Sequence, residues 1–248
     1  MIHLGTAAWN IPKPWREIFP EADSQLERYA KKFNAVEINS SFYRDHKAET
    51  YAKWAALVPV DFRFAVKLSR YFTQETRLRK TGERLEQTLS GIQRLGEKLD
   101  VLLVQIPPSL EFHPPSAKGF FRDLRSIHHG DVAFEPRHPS WNHERALDLL
   151  LENGVTRVFA DPDPCPVPDR EVYHAQSLIY YRLHGSPEIY RSRYSETYLD
   201  ELSEVLSEER CRGKNVWCIF DNTTFGHATE NALTMLNGVK DHEINQAS

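Results

Sequence analysis

The sequence predicts an α/β fold, a single (β/α)8 barrel of the TIM type, from three observations. Eight short apolar runs alternate with amphipathic stretches along the 248 residues, the count expected of a closed barrel. Several runs end in polar residues two positions apart, and a period of two puts both on one strand face. These pairs are Glu37 and Asn39, Glu135 and Arg137, and Arg182 and His184, with Lys67 ending a further run. A doubly wound open sheet is the competing arrangement. The strand count, and the clustering of polar groups at C-terminal strand ends, favour the barrel.

Taken in order, strands are expected near Ile2–Thr6, Ala35–Asn39, Phe62–Lys67, Val101–Ile106, Val132–Glu135, Thr156–Ala160, Leu178–His184 and Val216–Asp221. Helices are expected near Ser24–Phe33, Ala48–Leu57, Gly82–Leu99, Ser116–Ile127, His143–Asn153, Ser195–Cys211 and Thr224–Val239. Asp23 or Ser24 caps the first helix and Ser195 the sixth. Gly154 and Gly213 stand where helices stop. The segment Asp161–Ser177 carries Pro162, Pro164, Pro166 and Pro168, so an irregular loop replaces the helix after the sixth strand. The expected division is one barrel domain over residues 1–239 and a polar tail over 240–248.

Composition excludes several classes. A hydrophobic share of 40% and a charged share of 27% suit a soluble globular chain able to bury its own core. No apolar run is long enough to cross a membrane. A net charge of -4 gives no footprint for nucleic acid, which is disfavoured while a local basic groove stays open. Cys165, Cys211 and Cys218 form no CxxC spacing, an odd and sparse set that suits reduced thiols in a cytoplasm. The first strand begins at Ile2 and leaves no room for a signal peptide. Oligomeric state is not legible.

Seven segments combine into a recognisable order. They are Gly5-Thr6-Ala7-Ala8-Trp9, Val36 through Tyr43, Phe62 through Lys67, Gln105-Ile106-Pro107-Pro108, Glu135 through Trp141, Arg182-Leu183-His184-Gly185 and Gly226-His227-Ala228. In this order the chain resembles the YecE-like family, a bacterial and archaeal family known as a domain of unknown function. The resemblance runs from Gly5 to about Leu236 and implies a TIM-type barrel. It implies no particular reaction or cofactor. Four positions depart from the family pattern. Ala7 and Ala8 replace the usual Ser-Gly of the first turn, which removes a hydroxyl and a conformationally free residue. Pro136 replaces an aromatic residue, and Asp221 precedes Asn222 where paired asparagines are usual.

Glu37 and Glu135 are the candidate acid–base residues, since two carboxylates in one mouth can divide donor and acceptor roles. Buried ion pairing with Lys67, Arg137 or Arg182 is the competing explanation. Those three cations suit an anionic ligand, and against two glutamates they leave one positive charge over. Asn39, Tyr43, Gln105, His138, Trp141, Asn222 and His227 complete the candidate ligand-binding set with Lys67, Arg137, Arg182 and His184. Trp9, Tyr43, Tyr71 and Trp141 follow strands and can wall a pocket. His138, His184 and His227 raise the question of metal, but without HxH or HExxH spacing no residue is assigned as a ligand. A divalent ion stays open and no cofactor is implied. The leading expectation is an enzyme acting on a small anionic metabolite at the barrel mouth. The alternatives are a metal-dependent hydrolase, isomerase or nuclease-like enzyme, a glycosidase, and a non-catalytic ligand-binding or scaffold barrel.

Overall fold

A computed structural model of the chain describes residues 1–166 and 176–246, with side chains of the last helix described through Val239. The strands are β1 (Ile2–Thr6), β2 (Ala35–Ile38), β3 (Arg63–Lys67), β4 (Leu99–Gln105), β5 (Asp131–Glu135), β6 (Val155–Arg157), β7 (Phe159–Asp161), β8 (Leu178–Leu183) and β9 (Asn215–Phe220). All pair in parallel, in the orders β1-β9-β8-β7 and β2-β3-β4-β5-β6. Two seams join these sheets into a ring of eight strand positions. Ala7 bridges Glu37, with the Ala8 N–H donating to the Glu37 carbonyl at 2.8 Å. At the other seam β6 and β7 are one strand that changes partners at Val158, whose N–H donates to the Phe134 carbonyl at 2.9 Å. The expected Thr156–Ala160 strand is therefore two short ladders.

The β1–β2 seam is narrow. A Cβ at Gly5 would fall 2.0 Å from the Ala35 carbonyl oxygen, so only glycine lets the backbones approach this closely. The Tyr29 hydroxyl closes the gap, accepting from the Thr6 N–H at 2.8 Å and donating to the Ala35 carbonyl at 3.2 Å.

The helices are α1 (Gln25–Ala30), α2 (Ser40–Tyr43), α3 (Ala48–Leu57), α4 (Gly82–Ile92), α5 (Pro114–Ile127), α6 (Glu144–Glu152), α7 (Glu196–Cys211) and α8 (His227–Gln246). Ser24 caps α1 and Ser195 caps α7, each side chain accepting a backbone N–H at 3.2 Å. The expected helix Gly82–Leu99 breaks after Ile92 into a 3-10 stretch, because Gly96 sits at φ 60° and cannot continue an α-helix. That break starts β4 at Leu99, two residues early. Residues 240–246 contain neither Gly nor Pro, so α8 runs on through Gln246 beyond the expected boundary. Of the proline-rich crossover 161–177, residues 167–175 lie outside the described residues, and the described remainder carries no helix.

Side chains sort into two layers. Ala35, Ala65 and Ala133 face Tyr180 and Trp217 in the barrel interior, small residues from one arc making room for large ones from the other. Tyr180 and Trp217 stack at 5.7 Å. The outer layer holds Phe134 against Phe121 at 5.6 Å and Trp141 at 4.6 Å. Phe134 outward and Ala133 inward is the phase the sequence predicts, and it carries Glu135 into the barrel mouth.

Ala8 has a φ of 65°, the left-handed conformation that glycine adopts without cost. An L-residue there costs roughly 1–2 kcal/mol, partly returned by the lower unfolded-state entropy of alanine. Ala8→Gly is therefore expected to stabilise the protein by about 1 kcal/mol, read as a shift in denaturation midpoint. A loss of stability would show that the turn is not strained.

Candidate functional site

Arg182 stands at the centre of the C-terminal mouth, fully buried, and reaches three strands. Its Nε and Nη2 donate to the two oxygens of Glu37 on β2 at 2.9 and 2.8 Å, a bidentate fork. Nη1 donates to Glu135 on β5 at 2.6 Å, and Nη2 also donates to Asp221, just beyond β9, at 2.9 Å. Tyr180, two residues before Arg182 and on the same face, donates its hydroxyl to Glu37 at 2.9 Å. Glu135 further accepts from Arg137 Nε at 2.9 Å and Gln105 Nε2 at 3.3 Å. His184 lies between carboxylates, Nδ1 3.1 Å from Asp221 and Nε2 3.3 Å from Glu135. The second contact is too poorly aligned to be a hydrogen bond.

These placements set the protonation states. Burial pushes the Glu135 carboxyl up, but Arg182, His184 and Arg137 outweigh it and hold it well below the usual carboxylate range. Burial also raises Asp221, and Arg182 with His184 brings it down. Burial disfavours the imidazolium of His184, yet Glu135 and Asp221 overcome this and raise its pKa. Lys67 goes the other way. Burial, then the Arg182 charge, lowers its ammonium to about 8 against the opposing pull of Glu37, Glu135 and Asp221.

Lys67 ends β3 with only 9% of its surface exposed. Its Nζ lies 4.3 Å from the Phe42 ring centre and makes no hydrogen bond or ion pair among the described residues, and it is not among the fully buried atoms that lack a partner, so its tip keeps contact with solvent. Its backbone carbonyl accepts from Ser41 Oγ at 2.7 Å, which ties the strand end to α2. Asn39 Oδ1, just beyond β2, is buried with no hydrogen-bond partner among the described residues.

Glu37, Lys67, Gln105, Glu135, Arg137, Arg182 and His184 thus converge. Other sequence candidates do not join them. Trp141 is fully buried, donates Nε1 to the Leu110 carbonyl at 3.0 Å, and leaves no surface for a ligand. Its aromatic area was needed under the loops, packed on Phe134 and Phe112. Asn222, also fully buried, donates to Ser192 and Asn231 at 2.9 Å and anchors the loop after β8. His138 caps the turn Pro139–Asn142 through Ser140, and His227 pairs with Glu230 of its own helix at 3.1 Å. Tyr43 is 73% exposed at the rim.

Asp221 and Tyr180 were missed by the sequence reading, though its own period of two reaches both. Tyr180 is in phase with Arg182, and Asp221 with the inward Ile219. Asp221 also corrects the charge count. Three carboxylates now face Arg137, Arg182 and Lys67, so a positive charge is left over only when His184 is protonated, the form its two carboxylate neighbours favour. Among the described residues no three His, Cys, Asp or Glu side chains are arranged to hold a metal ion. Glu37, Glu135 and Asp221 all spend oxygens on Arg182.

A ring of parallel strands with a charged cluster at its C-terminal ends defines a TIM-type α/β barrel with a candidate ligand mouth. The chain belongs to the DUF72 family: residues 3–247 match the family described as "Protein of unknown function DUF72". The UPF0759 protein YecE of Escherichia coli K12 is 29% identical over 171 residues, spanning 66% of this chain and 60% of that protein. The UPF0759 protein YunF of Bacillus subtilis is 25% identical over 95% of this chain and 94% of its own length. The crystal structure of a DUF72 family protein from Thermotoga maritima superposes with a TM-score of 0.79 at 26% identity, covering 97% of this chain and 99% of that one. No helix among the described residues is long and apolar enough to cross a membrane.

Proposed function

We propose that this chain is an enzyme that binds a small anionic metabolite in the barrel mouth and moves protons there. The observation that carries the reading is the amine of Lys67, on a side chain 9% exposed, with no ion-pair partner among the described residues at a charged barrel mouth. Without Lys67, the three carboxylates are balanced by Arg137, Arg182 and a protonated His184, so the ammonium is the charge an incoming anion would pair. A buried charge is costly to keep without a partner, and a ligand oxyanion would supply one. Lys67 is lowered to about 8 and His184 is raised from its ordinary value, and groups perturbed in this way suit proton transfer. Glu37 and Glu135 then serve as fixed counter-charges that hold Arg182 and His184 in place, rather than as the acid and base themselves. An odd and sparse set of three cysteines without CxxC spacing fits a reducing compartment, and we place the protein in the cytoplasm on that ground.

Thermal shift with inorganic phosphate, oxalate and citrate tests the reading, because a ligand of the native state raises stability by mass action. At least one of these oxyanions is expected to raise the wild-type Tm, with the shift lost in Lys67→Met. Lys67→Met itself should cost less than about 1 kcal/mol, since the stem is replaced and a desolvated charge is removed. Equal shifts in both proteins would sink the assignment of Lys67. No shift in either would remove support for an anion site and favour the scaffold alternative.

A further inference from the structure

The mouth presents an amine in a setting suited to covalent chemistry. Lys67 reaches inward from a rigid strand end, which fixes its stem more firmly than a loop would. Phe42 covers one side of the Nζ at 4.3 Å, and the strand is pinned to α2 through Ser41. Charged groups face it from four other strands: Arg182 on β8, Glu37 on β2, Glu135 on β5 and Asp221 after β9. No carboxylate holds the Nζ in an ion pair among the described residues, so only the Phe42 ring face and more distant charges favour the ammonium.

We propose that Lys67 forms an imine with a carbonyl substrate that carries an anionic group, of the 2-oxo acid class. The proposal rests on the anion-binding reading above and adds the identity of the bond. The Nζ lone pair forms the C–N bond while the carbonyl π pair moves to oxygen. The proton leaving nitrogen and one further proton convert that oxygen to water. The departing C–O pair leaves with it, and the nitrogen lone pair completes the protonated C=N. Carbonyl compound plus protonated amine gives iminium plus water, and no redox partner is needed. The remaining demands are met within the mouth. Burial beside a second cation leaves part of the amine free near neutral pH. His184 is biased toward its acid form and can serve the proton steps. Arg137, with an 18% exposed side chain, can face the substrate carboxylate.

Borohydride trapping tests this on the full chain. Protein incubated with pyruvate, 2-oxoglutarate or glyoxylate is reduced, and adducts are mapped by peptide mass. The expected result is an adduct at Lys67 that forms about tenfold faster than at any other lysine with at least one probe. Lys67→Arg, which keeps the charge, should lose that adduct and retain the fold by circular dichroism. In parallel, competitive labelling of the unliganded protein with a small acylating reagent should give Lys67 a titration midpoint near 8, below that of a free lysine amine. Adducts spread evenly over surface lysines, or none at Lys67 with all three probes, would overturn the imine. If the oxyanion Tm shift persists in that case, only the imine falls. If that shift is absent as well, the anion-site reading falls with it.

Discussion

Arg182→Met is expected to unfold the barrel mouth or destabilise the whole protein by at least about 3–5 kcal/mol. The guanidinium is fully buried and is the shared counter-charge of Glu37, Glu135 and Asp221. Methionine fills much of the volume and supplies no charge, so three buried carboxylates lose their common partner. The pH dependence should also reverse. In the wild type, Glu135 and Asp221 titrate below their ordinary values. Their contribution is therefore present above the unfolded pKa of about 4 and is lost as pH falls through the folded values. Without Arg182, burial acts with less opposition and raises the folded carboxylate pKa values. A group with a raised folded pKa stabilises below its unfolded value, and that stability is lost as pH rises through the folded one. Denaturant midpoints should thus climb for the wild type as pH rises to about 4 and gain nothing more from these carboxylates above it, whereas the variant should lose stability between about pH 4 and pH 8. Arg182→Lys should lie between the two, because one ammonium cannot span carboxylates on three strands. A flat profile and a loss under about 1 kcal/mol for Arg182→Met would mean that the cluster is solvated in solution.

Much of this cluster was legible because strand periodicity is a strong local rule. Glu37, Glu135, Arg182 and His184 were placed together from alternation alone, and the same alternation extends to Tyr180 and Asp221. What alternation cannot give is distance across a barrel. Arg182 meets Glu37 145 positions away in the chain, and no local pattern encodes which carboxylate takes the fork and which takes a single bond. Residues beyond strand ends were less legible, since loop side chains answer to turn geometry. Trp141, His138 and Asn222 look like ligand groups by type, and the structure uses them to pack and cap. The fold shows the same division. Eight strand positions follow from the apolar runs, whereas the partner change at Val158 and the helix break before Gly96 depend on tertiary pairing and on one backbone angle.

Glu135→Gln is expected to cost about 3–5 kcal/mol. Replacing a carboxylate strained for function would cost little, and the geometry argues against strain. Glu135 accepts from Arg182, Arg137 and Gln105 and faces His184, and its carboxyl is held well below the ordinary range. A depressed pKa means that the folded state prefers the ionised form, which is stabilisation rather than strain. Glutamine keeps the shape and offers one acceptor where two oxygens serve two guanidiniums. The wild-type advantage should be complete near neutral pH and shrink as pH falls below about 4 toward the folded pKa, because protonation then removes the same charge in the wild type. Guanidinium denaturation at about pH 7 and pH 3 measures both limbs. The variant also reports on Lys67. Glu135 is one of the charges that raise the Lys67 pKa, so its removal should move the labelling midpoint of that amine further down. A small stability loss with an unchanged Lys67 midpoint would detach Glu135 from the electrostatic frame and restore it as a candidate acid–base residue. A large loss with a lowered midpoint would tie the carboxylate to the frame that sets the reactivity of Lys67.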